Sequence, residues 1–375
     1  MTSKSSSIHK AYLPGMDGDA GELAVPLEVL ARRLGRQPDE IVRLDSDESP
    51  YGCSLRVLEV LGSADSLHRP GDPEARELRA ALEPYARCAR ERITAGAGAA
   101  ESLERLMRVL VPPGATILVP TPARAVYSAV AARLGICVVT HTPVRGFDYD
   151  IETILTLARD HAAALIILSA PNDPTGAGIT ATEVVRLLRS EVPVLVDECF
   201  YEFSGRTVAP LVTEFENLIV LRDFAPWAGL GGLPISYLLT ARPLAARLRQ
   251  AAVYGGATTA PSRAAQIAAM ASLTDLDTLR AHIKAIRQER GRLFRSLRKL
   301  NLLQPYPSEG PFLLCAMTRG NAAAIRDHLA DQDGIIVRAL QTTALPNHLR
   351  VSVGRPQDTD ALMRGLLRIA EQHPL

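Results

Sequence analysis

Residues 164–198 read ALIILSAPNDPTGAGITATEVVRLLRSEVPVLVDE, and this stretch decides the fold class. Two apolar runs, ALIILS (164–169) and VPVLVDE (192–198), flank an Asn-Asp-Pro-Thr-Gly turn and an amphipathic segment over 181–190. A strand that is apolar at every position is covered on both faces, as in a parallel sheet with helices on each side, whereas an alternating strand shows one face to water. Similar runs lie on either side: TILVP (116–120) and ICVVT (136–140) before it, LIVLR (218–222) and ISYLL (235–239) after it. The spacing predicts an α/β fold, a large domain with a mainly parallel sheet sandwiched by helices. After about 250 an arginine-rich helical stretch (262–300) leads into FLLCAM (312–317), a helix over 321–330, GIIVRAL (334–340), LRVSVG (349–354) and a closing helix from about 357. That order predicts a smaller α+β domain. The division is an N-terminal arm and small-domain segment at 1–43, the large domain at 44–250 and the C-terminal small domain at 251–375.

The 375 residues carry 42 Lys and Arg against 41 Asp and Glu, a net charge of +1 with no basic stripe, which argues against nucleic acid as a partner. No apolar run approaches the roughly 18 residues needed to span a bilayer, and the start MTSKSSSIHK lacks the apolar core of a signal peptide, so a cytoplasmic protein without a membrane partner is expected. Cys53, Cys88, Cys137, Cys199 and Cys315 show no motif spacing and have mostly apolar neighbours, which predicts buried free thiols and neither disulfide nor metal.

Ten landmarks then fall in one order: LDSDESPYG (44–52), PGDPEARELRAAL (70–82), TAGAGAAESL (94–103), PTPARAVY (120–127), APNDPTG (170–176), VDECFYEF (196–203), RDFAPWAGLGGL (222–233), YPSEGPF (306–312), IIVRAL (335–340) and LRVSVG (349–354). In this order they resemble the class I/II, fold-type-I aminotransferases that depend on pyridoxal phosphate (PLP), of the histidinol-phosphate aminotransferase type. The resemblance also shows where the chain departs. Pro226 stands where the family's Schiff-base lysine belongs, and the only lysines are Lys4, Lys10, Lys284 and Lys299. A proline ring in the chain has no titratable amine with which to form an imine or move a proton. Arg124 stands at the ring-stacking tyrosine, Asp173 and Phe200 at the two partners of the ring hydroxyl, Ala225 and Pro234 at a serine and an arginine of the phosphate grip, Ala100 at an aspartate of the phosphate loop, and Pro70 at a tyrosine supplied by the partner subunit.

Asp197 keeps the position that pairs with the ring nitrogen, and Arg338 and Arg350 keep those that take a substrate carboxylate, whose two oxygens a guanidinium fork matches. The amides of Gly98, Ala99 and Ala100 open a helix over 99–111 and could hold an anion. Structural roles compete with these: Asp197 as a cap, Arg350 in an ion pair, Arg124 at the surface, Asp173 as a turn residue and Trp227 as filler of space. The sequence therefore leads to an enzyme on this scaffold that works without PLP. Its acid/base chemistry (lyase, cyclase, dehydratase, isomerase or condensation) would use Asp173, Asp197 and Arg124 as catalytic residues, with Arg338, Arg350, Tyr51 and Trp227 binding a carboxylate-bearing substrate like an amino acid or keto acid. No cofactor or metal is expected, and a homodimer is, by the resemblance. Two alternatives stay open: a non-catalytic ligand-binding or partner subunit, and a transferase that holds PLP or pyridoxamine phosphate non-covalently.

Overall fold

The computed structural model describes residues 25–143, 146–254 and 260–372. The first part of the expected N-terminal arm, residues 1–24, lies outside the described residues. The chain forms two compact units: the larger takes Glu48–Asp173 and Ala177–Ala285, the smaller the chain up to Asp47, Pro174–Gly176 and the chain from Ile286.

The larger unit is built on a seven-stranded sheet. Its strands are β1 (Ile93–Gly96), β2 (Thr116–Pro120), β3 (Cys137–His141), β4 (Leu165–Ser169), β5 (Val194–Asp197), β6 (Leu218–Asp223) and β7 (Ser236–Leu239), in the spatial order β1-β7-β6-β5-β4-β2-β3. All neighbours are parallel except β7, which runs against both β6 and β1. Every residue of β4, β5 and β6 is buried, as their continuous apolar runs require. Helix α1 (Ala99–Leu110) drives Leu103, Leu106 and Met107 into a core shared with Ile117, Val119, Leu195 and Ile219. Full burial of such a side chain is worth about 1.5–3 kcal/mol, so this cluster holds helix to sheet.

Two sequence expectations differ from what is found. Cys137 is exposed because β3 is an edge strand and lacks a neighbour on one side, and Cys53, in the loop before the helix Leu55–Gly62, is only half-buried. The helical stretch after 262 is two helices, Arg263–Thr274 and Leu276–Leu297, separated at Asp275, whose carboxylate accepts the Thr278 hydroxyl at 2.7 Å.

Helices α2 (Ala125–Arg133), α3 (Ile151–Asp160) and α4 (Ala181–Leu188) follow strands of the sheet. The start of α4 is a complete capping box: Thr180 Oγ1 accepts the Glu183 amide at 3.2 Å and Glu183 accepts the Thr180 amide at 2.7 Å. Thr180→Ala is expected to lower stability by about 1 kcal/mol in urea denaturation, and an unchanged midpoint would remove the cap from the account.

The smaller unit contains a four-stranded antiparallel sheet of β8 (Leu303–Pro305), β9 (Phe312–Met317), β10 (Arg338–Leu340) and β11 (His348–Ser352), in the order β10-β11-β9-β8. Val42–Arg43 pairs in parallel with Ile335–Ile336, and a helix over Pro356–Gln372 ends the described chain.

Candidate functional site

Ligands of open α/β sheets sit at the carboxyl ends of the parallel strands. Here β5 ends on Asp197 and β6 on Asp223, both buried. The strand spends its apolar residues in the core and delivers a charge at its last position. Asp197 Oδ2 accepts the Tyr127 hydroxyl at 2.6 Å and an Arg124 guanidinium N–H at 3.4 Å, while Oδ1 accepts the Cys199 amide at 3.0 Å. Arg124 and Tyr127 open α2 three residues apart, the spacing that puts two side chains on one helix face. Burial and then the Asp197 carboxylate hold the Tyr127 phenol well above its usual range, so it stays a donor. Structure thus joins two of the expected catalytic residues, Asp197 and Arg124, and adds Tyr127, whose signal in the sequence was that spacing.

Asp173 is buried in the turn after β4. Its neighbour Asn172 donates to Pro122 O at 3.1 Å and to the Tyr149 hydroxyl at 3.2 Å, and Tyr149 donates to Ser169 O at 2.7 Å. Burial lifts the Tyr149 phenol to about 12. Phe200 is buried just before the short helix Tyr201–Ser204.

Pro226 is buried in a four-residue helix, α5 (Ala225–Ala228), immediately after β6. Trp227 stacks on Tyr85 at 5.5 Å between centroids and leans against Phe224. Tyr51 stacks on His282 at 4.9 Å. Below this layer Arg222 and Glu198 form a buried pair: Nε and Nη2 donate to Glu198 Oε2 at 3.0 and 2.9 Å, Nη2 donates to Thr207 Oγ1 at 2.7 Å, and the guanidinium lies 3.6 Å from the Tyr201 ring centroid.

The anion cradle at the start of α1 is already engaged. The Ala99 amide donates to Asp223 Oδ2 at 2.9 Å and the Ala225 amide to Asp223 Oδ1 at 2.7 Å. One residue ahead of the cradle, the Ala97 amide donates to Glu101 Oε2 at 3.0 Å. Burial pushes the Asp223 carboxyl up to about 6 and that of Glu101 up to about 7, against the pull of these amides. Pro234 packs on the same loop, since a β-carbon placed on Gly98 would meet Pro234 Cβ at 3.1 Å.

In the smaller unit Arg338 and Arg350 are directly opposite across β10 and β11, so they share a face of the sheet. Arg350 is fully buried, paired with Asp47, bonded to Ser352 Oγ at 3.0 Å and set 4.0 Å from the Phe312 ring centroid.

A doubly covered parallel sheet with a buried carboxylate at the end of β5, linked to a hydroxyl and a guanidinium from the next helix, defines a cofactor-enzyme scaffold of the fold-type-I class. The family model described as aminotransferase class I and II matches residues 39–366, and the chain belongs to that family. It is 40% identical over 357 residues to a histidinol-phosphate aminotransferase of Roseiflexus castenholzii, covering 92% of this chain and 94% of that protein. The chloroplastic histidinol-phosphate aminotransferase of Nicotiana tabacum is 37% identical over 344 residues, covering 91% and 82%. Among solved structures, the histidinol-phosphate aminotransferase of Sinorhizobium meliloti in complex with pyridoxal-5'-phosphate superposes with a TM-score of 0.84 at 25% identity and 99% coverage of both chains. Among the described residues no helix is long and apolar enough to cross a membrane.

These relatives correct three expectations. The absence of a cofactor, the PLP-independent acid/base enzyme built on Asp173, Asp197 and Arg124, and the non-catalytic subunit are all overturned by whole-chain similarity to enzymes named for amino-group transfer, one of them solved with PLP bound. The physical reason is that the replaced side chains lie around a scaffold they do not build: β5 still delivers Asp197, buried and held by Tyr127, at its carboxyl end. The fit of the present residues to PLP is nevertheless uneven. At the ring-nitrogen end Asp197 is a buried carboxylate whose two oxygens can accept further bonds, and it fits. At the phosphate end the Asp223 carboxylate occupies the Ala99 amide of the cradle and the neighbouring Ala225 amide, and at the attachment point Pro226 offers no amine; these do not fit.

Proposed function

We propose that the protein is an amino-group-transfer enzyme that takes PLP or pyridoxamine phosphate without a covalent bond and acts on a small amine or keto acid carrying an anionic group. Asp197 carries the reading: it is 2% exposed at the carboxyl end of a central strand, held by Tyr127, and is the group a protonated pyridine nitrogen requires. The relatives' names support the reaction class and a substrate with an anionic group. In the smaller unit Arg338 and Arg350 are the candidates to hold that group; in the larger, Tyr51 and Trp227 are candidates to bind substrate and Asp173 and Arg124 to handle protons. A homodimer is part of the same reading, and light scattering giving a monomer at micromolar concentration would remove it.

The test is a titration with PLP and, separately, pyridoxamine phosphate. Saturable binding is expected, and after borohydride treatment the intact chain should keep its mass, because residue 226 cannot form an imine. In a single turnover, enzyme with pyridoxamine phosphate and a 2-oxo acid should yield the amino acid and PLP in equal amounts. No binding of either form, or a chain that gains the mass of the cofactor, would sink the non-covalent reading.

A further inference from the structure

We infer that Asp223 is a built-in competitor for the anion cradle at the start of α1, which a phosphate group must displace, so that this chain binds dianions there only when Asp223 is protonated or swung away. The inference rests on the proposed cofactor reading for its biological meaning, but its geometry stands alone. An oxyanion at a helix N-terminus is bound by unpaired amides and by the positive end of the helix, and a second anion cannot use the same N–H groups. Here one carboxylate from the end of the adjoining strand β6 takes one of them, with Oδ2 on the Ala99 amide, and ties it to the amide that opens α5, with Oδ1 on Ala225. α1 is 12 residues long, enough for a full helix dipole, and Glu101 in its first turn ties down the Ala97 amide. Two amides of this loop, Ala97 and Ala99, are therefore taken by the chain's own carboxylates.

The charged groups acting on Asp223 are the Arg124 guanidinium from the start of α2 and the Asp197 carboxylate at the end of β5, while within α1 Glu101 and Arg105 pair with each other at 3.3 Å. The Ala225 and Ala99 amides and then Arg124 favour the ionised form, Asp197 opposes it, and burial outweighs them, which places the titration near pH 6. The sign follows. Above this pH Asp223 is a carboxylate that both occupies the amides and repels a dianion; below it a neutral carboxyl gives them up more readily.

Sulfate is the probe, since it stays a dianion across the range and carries no ring. Binding is measured by isothermal titration at pH 5 and pH 8 for the full chain, Asp223→Ser and Asp223→Asn, with thermal unfolding of each to confirm a folded protein. The natural chain should bind sulfate at least about tenfold more tightly at pH 5 than at pH 8. Both variants should show a smaller change between pH 5 and pH 8 than the natural chain, the remainder being that of Glu101 in the first turn of α1, and the serine variant should bind more tightly than the natural chain at pH 8 by about tenfold. If the natural chain shows no pH dependence, or if neither variant gains affinity at pH 8, the competitor role is wrong. PLP titrated in parallel separates the two claims: sulfate behaving as stated while PLP fails to bind overturns the cofactor reading alone, and PLP binding equally to natural chain and variants at pH 8 overturns the role of Asp223 alone.

Discussion

Arg222→Ala should cost about 3–5 kcal/mol of stability, read as a large fall in the urea midpoint with little change in slope. Arg222 and Glu198 are each no more than 2% exposed, and the guanidinium serves Glu198, Thr207 and the face of Tyr201 together. Removing the cation leaves the Glu198 carboxylate buried, still bonded to the Thr207 hydroxyl and the Val208 amide but with its charge uncompensated. Removing both charges is different in kind, because no ion is then left in the core. Glu198→Leu combined with Arg222→Met should be less destabilised than either single change. A single alanine variant that loses under about 1 kcal/mol would show that this pair does not anchor β5 to β6.

Asp197→Asn should weaken PLP binding by roughly 30- to 5000-fold, the equivalent of about 2–5 kcal/mol for truncating one partner of a buried hydrogen-bonded charge pair. The asparagine keeps the volume and can still accept from Tyr127. It cannot offset the charge of a protonated ring nitrogen or of Arg124. Sulfate affinity of the Asp223→Ser variant should be unaffected by the added Asp197→Asn change, because that probe has no ring. Equal loss for sulfate and PLP would mean that Asp197 organises the whole end of the sheet and has no specific role toward a ring.

The strand runs were legible because burial on both faces leaves no polar position to blur them, as in β4, β5 and β6. Direction was not. β7 reads like its neighbours in composition, yet runs against them, and nothing in an apolar run records which way it points. At the site the retained Asp197 and the substituted Pro226 and Arg124 could be read residue by residue. The role of Asp223 could not, although Asp followed two residues later by the amide of Ala225 is an Asx-turn pattern, which was the available signal. Its second bond, to Ala99, joins residues 124 apart and exists only once β6 and α1 are adjacent. The Arg222–Glu198 pair, 24 residues apart across β5 and β6, was hidden for the same reason.

The chain has one tryptophan, and it follows Pro226 directly, buried against Tyr85 and Phe224. Its intrinsic emission is therefore a single-site optical signal, uncontaminated by any other indole and located two peptide units from the Asp223-bonded Ala225 amide. The natural protein carries its own label at the carboxyl end of β6, with no dye to attach and no residue to sacrifice. Rearrangement of α5 can then be followed in stopped flow on the unaltered molecule, from the first millisecond after mixing.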